Sequence, residues 1–176
     1  MKRLTFFTLV LLALCASCFA QSIPSIKGKT LNDSDIILPK PGSTQNLILV
    51  LGFSHKSGDT CTLWDKRLFA DYHSDAQVTY YQLPVLEGAP SFLRPMILRG
   101  MRKDIPADQQ THFIPIFDHE AEWKKLVSFS GPDDAYILLS DPQGRVVWQT
   151  HGPFTDPSYD ALKSAASKLL ATPAPR

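Results

Sequence analysis

The stretch that decides the fold is Asn46–Trp64, NLILVLGFSHKSGDTCTLW. It opens with an unbroken apolar run, Leu47–Leu51, which is typical of a strand buried on both faces. A short polar turn follows, and a predicted helix then carries Cys61. A buried strand, a polar loop and a helix with a thiol form the usual geometry of a thiol site. The first question is therefore whether this site is active, altered or only a scaffold.

The first 20 residues of the 176-residue chain have the pattern of a secretory signal. Lys2 and Arg3 supply the positive start, residues 4–14 are apolar, and small residues precede Gln21. The apolar segment is too short to span a membrane, which takes roughly 20 residues. We expect cleavage after Ala20 and export to the periplasm or the medium. A lipoprotein signal, with Cys18 as the modified residue, is the alternative.

Composition narrows the class of protein. Without Lys2 and Arg3 the 18 basic residues fall to 16, against 17 acidic residues, and no basic patch favours a nucleic-acid partner. No second apolar stretch is long enough to cross a membrane. Cys15 and Cys18 lie in the signal, so Cys61 is alone in the exported chain. Its thiol is either buried and inert or a deliberate reactive group.

Periodicity predicts alternating strands and helices after the signal. Strands are expected at 36–38, 47–53, 76–83, 112–117, 135–139 and 145–148, and helices at 62–72, 91–101, 120–127 and 159–170. We expect the first helix to be capped by Ser57, Asp59 or Thr60. We expect the second helix to turn Phe92, Met96 and Ile97 inward. Pro115 weakens its strand, which we therefore place at an edge, and Asp141–Gly144 forms a hairpin turn.

This order of elements implies a parallel crossover followed by an antiparallel hairpin. Over residues 23–170 it resembles the thioredoxin-like fold. That resemblance predicts an α/β chain, a three-layer α/β/α sandwich whose central mixed sheet ends in an antiparallel hairpin. The predicted organisation is a signal at 1–20, an extended lead-in with the first strands at 21–45, the thioredoxin-like core at 46–170 and a flexible tail at 171–176.

The resemblance also shows what the thiol site lacks. Active members carry C-x-x-C after the first central strand, with a thiolate stabilised at the helix start and a second, resolving cysteine. The matching residues here are Gly58, Asp59, Thr60 and Cys61, so only the resolving position keeps its sulfur. The proline that members place before the first hairpin strand is also missing, because residues 133–136 read Asp-Asp-Ala-Tyr. The resemblance implies that dithiol exchange cannot run within this chain.

Two narrower resemblances point to different functions. GFSH at 52–55, followed by Cys61, is similar to the GFTHC-x-x-x-C loop of the copper-delivering cytochrome oxidase assembly proteins. Here Lys56 stands at the first cysteine position, and one thiolate is a poor site for Cu(I). Residues 98–103 and 131–153 resemble the ATP synthase assembly factors, which act as assembly chaperones. The peroxiredoxin motif P-x-x-x-T-x-x-C is not matched, because Ser54 and Gly58 occupy its Pro and Thr positions.

Three functional hypotheses follow. The first is an exported, non-catalytic thioredoxin-fold protein that binds an unknown protein partner in assembly, without dithiol oxidoreductase activity and without a cofactor or metal. The second is a monothiol redox protein that uses Cys61, and the third is copper handling. The candidate site residues are Cys61 as a nucleophile and the surrounding loop, which comprises His55, Lys56, Gly58, Asp59 and Thr60.

Overall fold

The structure is a computed structural model that describes residues 21–171. The predicted signal at 1–20 and residues 172–176 of the predicted tail lie outside this range. Ala171, also assigned to the tail, is instead the last residue of the final helix. Within the described range, none of the helices combines the length and apolarity that crossing a bilayer requires.

A four-stranded mixed sheet lies at the centre of the fold, as predicted. Strand β3 (Asn46–Gly52) pairs in parallel with β4 (Val78–Pro84) and antiparallel with β5 (Ala135–Ser140). Strand β6 (Val146–Gly152) completes the hairpin, which gives the order β4-β3-β5-β6. Every residue of β5, and every residue of β3 except Gly52, is buried. Their continuous apolar runs therefore reflect coverage of both sheet faces.

Helices and a small hairpin cover the two faces. Helices α1 (Ser57–Tyr72) and α4 (Asp156–Ala171) bury Trp64, Leu68 and Leu162 against one face. The other face is covered by α3 (Glu120–Leu126) and by the antiparallel pair β1 (Ile26–Lys29) and β2 (Asp35–Leu38). The predicted three-layer α/β/α arrangement is confirmed.

Helix α1 begins at Ser57, five residues before the predicted start. The Ser57 N–H donates to Ser54 Oγ at 3.0 Å, and the Gly58 N–H donates to the His55 carbonyl at 3.1 Å. These bonds from the preceding loop close the first turn. The prediction that Ser57, Asp59 or Thr60 caps the helix is therefore wrong, since all three lie inside it. Cys61 consequently lies one turn inside the helix.

Helix α2 (Arg94–Asp104) differs from the prediction in what it buries. Phe92 and Met96 are 79% and 63% exposed instead of facing the core, and Ile97 is only half-buried. Polar contacts hold the helix: Arg94 donates to the carbonyls of Glu87 and Ala89, and Arg102 donates to that of Leu31. Three apolar residues of the helix, Ile97, Leu98 and Met101, are half-buried and none is fully buried, because other elements already cover both sheet faces.

The strand predicted at 112–117 is mostly absent. A short 3-10 helix spans Gln110–His112, and only two isolated bridges follow, Phe113 to Gln82 and Ile116 to Val85. Both bridges are to the chain at β4, so the predicted edge location is right. Pro115 lies between the residues that bond to β4, and because it has no N–H the segment cannot extend a regular ladder on its other side.

A buried polar group lies behind α1. Asp65 is 5% exposed and faces Tyr80 and Gln82 of β4. Asp65 Oδ1, Tyr80 Oη and Gln82 Nε2 are all buried, and none of them has a well-aligned hydrogen-bond partner within the described residues, although Tyr80 and Gln82 lie close enough to the carboxyl to lower its pKa. Burial raises the pKa of the Asp65 carboxyl, and the nearby polar groups of Gln82, Tyr80 and His112 only partly oppose this shift. An ionised carboxylate at this position destabilises the fold.

We predict that Asp65→Asn raises the free energy of unfolding at pH 7 by about 1 kcal/mol or more, because it removes the buried charge. The folded-state pKa of Asp65 lies above its unfolded value. Its contribution to stability is therefore fully present below the unfolded pKa and is lost as the pH rises through the folded pKa. The gain from Asp65→Asn should consequently shrink towards acidic pH. Urea unfolding at several pH values measures it.

The matched control is Asp160→Asn on the exposed side of α4, which should change stability by less than about 0.5 kcal/mol. A loss of stability in Asp65→Asn at pH 7 would show that the ionised carboxylate is a favourable group in the folded state.

Candidate functional site

The candidate site forms where β3 ends and α1 begins. The turn at 53–56 is closed by Ser54 and Ser57, which bond to each other in both directions. The Ser54 N–H donates to Ser57 Oγ at 3.2 Å, and Ser57 Oγ donates to the Ser54 carbonyl at 2.8 Å. Ser57 is fully buried. Its hydroxyl therefore holds the backbone of the turn through its two hydrogen bonds to Ser54.

Ser57 and Cys61 meet at Gly52. A Cβ atom added to Gly52 would lie 2.8 Å from Ser57 Oγ and 3.1 Å from Cys61 Sγ. The two side chains are one helical turn apart on the inward face of α1, whereas Gly58 is exposed. Thus the side chain that approaches Gly52 together with Cys61 is Ser57, which the C-x-x-C comparison did not single out. The signal that could have found it is the four-residue spacing, which is also that of the two cysteines in the copper-delivering loop.

The thiol of Cys61 is sealed in the core. It is 5% exposed, and its Sγ lies 3.7 Å from the Leu51 carbonyl oxygen, which accepts from the S–H. Burial, and secondly the charge of Asp65, raises the pKa of Cys61 to about 12. A reactive cysteine needs the opposite shift, since the thiolate is the nucleophile. The thiol is therefore neutral at physiological pH.

The other predicted loop residues lie outside this contact. His55, Lys56, Gly58 and Asp59 are exposed, and Thr60 is half-buried. Lys56 does not reach the thiol but pairs with Asp133, Nζ to Oδ2 at 2.8 Å. The structure thus separates these side chains from Cys61 and leaves them on the solvent side of the turn.

Asp133 ties the turn to the segment before β5. Its second carboxylate oxygen accepts from Ser54 Oγ at 3.1 Å. These two hydrogen bonds, from Lys56 first and Ser54 second, lower the pKa of Asp133. Asp133 lies in the segment 133–136, where the thioredoxin-like resemblance predicts the proline that active members place before the first hairpin strand. Here that place is occupied by a carboxylate held in an exposed ion pair.

An aromatic cluster supports the same edge of the sheet. Phe53 contacts Phe129 and Tyr136 edge to face, with ring centroids 5.1 and 5.5 Å apart. The Tyr136 hydroxyl donates to the Gly131 carbonyl at 2.8 Å and fixes the loop before β5. His151 stacks on Tyr136 and places Nδ1 3.1 Å from Asp134 Oδ2. These rings give the turn a rigid base.

No group of three or more His, Cys, Asp or Glu side chains comes together in residues 21–171 in a way that could hold a metal ion. His151 lies across the hairpin from Tyr136. Its described contacts are with Ser130, Asp134 and Tyr136.

We predict that Gly52→Ala lowers the free energy of unfolding by roughly 1–3 kcal/mol, because the added methyl group would crowd both Ser57 Oγ and Cys61 Sγ. Gly58→Ala is the control in the same region. Its new Cβ would meet nothing within 4 Å, and removing a glycine from a helix should stabilise by up to roughly 1 kcal/mol. Urea denaturation compares them. Equal stability of the two variants would disprove the close approach.

Comparison with known proteins supports the fold. No protein-family model and no curated protein matches the sequence. Among solved structures, the chain is similar to the thioredoxin domain of a thiol-disulfide oxidoreductase from Bacteroides vulgatus, at TM-score 0.55 and 14% identity over 82% of this chain and 95% of that one. It is similar to BsSco, a member of the Sco family of cytochrome c oxidase assembly proteins, at TM-score 0.56 and 14% identity over 85% of this chain and 94% of that one. It is also similar to the pneumococcal exposed lipoprotein thioredoxin Etrx1 from Streptococcus pneumoniae, at TM-score 0.55 and 9% identity over 82% of this chain and 99% of that one. The chain therefore has the thioredoxin-like fold.

Proposed function

We propose that this protein is a non-catalytic, exported thioredoxin-fold protein that works by binding a protein partner. The observation that carries the proposal is the state of Cys61. Its thiol is 5% exposed and its pKa is raised to about 12. A group in this state supplies no thiolate to attack a disulfide or a peroxide.

The same state counts against the monothiol hypothesis. In a monothiol mechanism the sulfur must reach the substrate and leave as a mixed disulfide. Here a buried hydroxyl, Ser57, fills the position one turn earlier in the helix, and both side chains press on Gly52. Access to Cys61 would require α1 to move away from β3.

Two features of the surface support a binding role. Phe92, in the turn before α2, and Met96, in the first turn of α2, both expose large apolar side chains to solvent, and exposed apolar surface is typical of sites that contact another molecule. The thiol-site turn is itself closed by the exposed Lys56–Asp133 pair. The turn thus presents a fixed polar surface in place of a reactive sulfur.

Export is supported by the sequence of residues 1–20 and by the neighbours of the fold. Lys2, Arg3 and the apolar segment after them have the signal pattern. One structurally similar protein, Etrx1, is described as an exposed lipoprotein. Cleavage after Ala20 and lipid attachment at Cys18 are distinguished by the intact mass of the protein purified from the envelope.

Alkylation of Cys61 by iodoacetamide tests the proposal. We predict that the native protein reacts at pH 7 only through its transiently unfolded state, and that no plateau appears below pH 8, because the folded thiol remains buried and protonated. Mass spectrometry over time at several pH values measures the rate. Fast reaction of the native protein with a plateau below pH 8 would refute an inert thiol.

A displaced thiol is the matched control. Gly58→Cys in a Cys61→Ala background puts one cysteine at an exposed position in the first turn of α1. That thiol should react at least as fast as a free cysteine, since the helix N-terminus favours the thiolate. The comparison separates an effect of burial at position 61 from an effect of the fold as a whole.

A further inference from the structure

A cavity of about 450 Å³ opens on the side of the molecule where β1 and α2 meet. One wall is the continuous stretch 25–31, which includes β1, and the opposite wall is the stretch 115–119 that follows the isolated bridges to β4. None of the candidate thiol-site residues lines it. We call this cavity the β1 groove.

The first wall is an open strand edge. Strand β1 pairs with β2 so that Ile26 lies opposite Leu38 and Gly28 opposite Ile36. Thr30 continues this register, since its N–H donates to the Ser34 carbonyl at 2.9 Å. In an antiparallel pair, successive residues alternate between bonding to the partner strand and pointing away from it. The backbone N–H and C=O groups of Lys27 and Lys29 therefore point away from β2. Leu31, next in the same alternation, donates its N–H to the Phe113 carbonyl at 2.8 Å.

The second wall is also an open edge. Ile114 and Ile116 donate their N–H groups to the carbonyls of Gln82 and Pro84, at 2.8 and 2.9 Å. By the same alternation, the backbone of Pro115 and Phe117 points away from β4 and towards β1. The two edges meet only at the Leu31–Phe113 bond. Pro115 has no N–H to extend the ladder, and beyond it the edges are separated by the groove.

The floor and rim of the groove define what fits there. Ile26, Ile116 and Trp123 are buried apolar residues that form its base. At the rim, Arg102 is paired with Asp33, and Lys29 with Asp35. The Lys27 side chain has no salt bridge among residues 21–171. It is therefore an available positive charge beside an unpaired strand edge.

We propose that the β1 groove binds an extended peptide segment of the partner protein, which adds as a strand between β1 and residues 115–117. Main-chain hydrogen bonds to Lys27, Lys29 and Phe117 supply the affinity, as in other cases of strand addition. One apolar side chain of the segment faces Ile26 and Trp123, and an acidic side chain pairs with Lys27. The length of β1 limits the segment to about four residues at roughly 3.3 Å each.

The inference rests on the proposed binding function but not on the state of Cys61. Its test starts from the folded protein and a random twelve-residue peptide library displayed on phage. The most enriched sequence is synthesised as a blocked peptide and titrated into isotope-labelled protein. We expect saturable shifts of the backbone amide resonances of Lys27, Lys29 and Phe117, and an acidic residue among alternating apolar ones in the selected sequence.

Two matched comparisons decide whether the binding is strand addition. Two further peptides have the same sequence but carry N-methyl groups on one or the other set of alternate backbone nitrogens. The peptide methylated on the nitrogens that face β1 should bind at least roughly tenfold more weakly than the unmethylated peptide, because it loses main-chain donors. Lys27→Glu should weaken the original peptide roughly two- to fivefold or more. Lys40→Glu, an exposed lysine beyond the groove lining, should leave the affinity unchanged.

Three results would overturn the groove. In the first, the library yields no peptide that shifts these amide resonances. In the second, the unmethylated peptide and both methylated peptides bind with equal affinity. In the third, Lys27→Glu and Lys40→Glu change the affinity for the peptide equally. A selected peptide whose shifts map to another surface also overturns the groove, while leaving a protein-binding function in place.

Discussion

The contact at Gly52 is the constraint on which the rest of the site depends. Because this residue has no side chain, α1 packs directly on the end of β3, and Ser57 and Cys61 reach the strand backbone. With this packing the thiol of Cys61 points into the core, where it donates to the Leu51 carbonyl. The first turn of the helix is held by the hydroxyl group of Ser57, which donates to the Ser54 carbonyl. The neutral state of Cys61 is a consequence of this packing, since burial is the main cause of its raised pKa.

The same packing separates Cys61 from the exposed start of α1. An active site needs a sulfur at the exposed start of the helix, where the helix dipole stabilises a thiolate. Here that exposed start carries Gly58 and Asp59, and the adjacent lysine is paired with Asp133. What remains is a rigid edge, supported by Phe53 and Tyr136, which can present a surface but supplies no nucleophile.

Much of the fold could be predicted because its signals are local. The buried strands β3 and β5 are continuous apolar runs. The turn that joins β5 to β6 is encoded by Asp141, whose carboxylate accepts the Gln143 and Arg145 N–H groups, and by Gly144 at φ +82°. The outward orientation of Phe92 and Met96 could not be predicted, because it depends on which elements already cover the sheet. Pro115 did predict a weakened edge strand, but not its reduction to two isolated bridges. The approach of both Ser57 and Cys61 to Gly52 was missed because it is visible only once the helix start is known.

The central claim is that Cys61 is a neutral, buried group. A titration of the Cys61 13Cβ resonance by NMR tests it most directly, because this shift reports the protonation of the sulfur. The account predicts a single thiol resonance that does not titrate between pH 6 and pH 10, consistent with a pKa of about 12. A titration midpoint at or below the ordinary cysteine value of roughly 8.5 would contradict it.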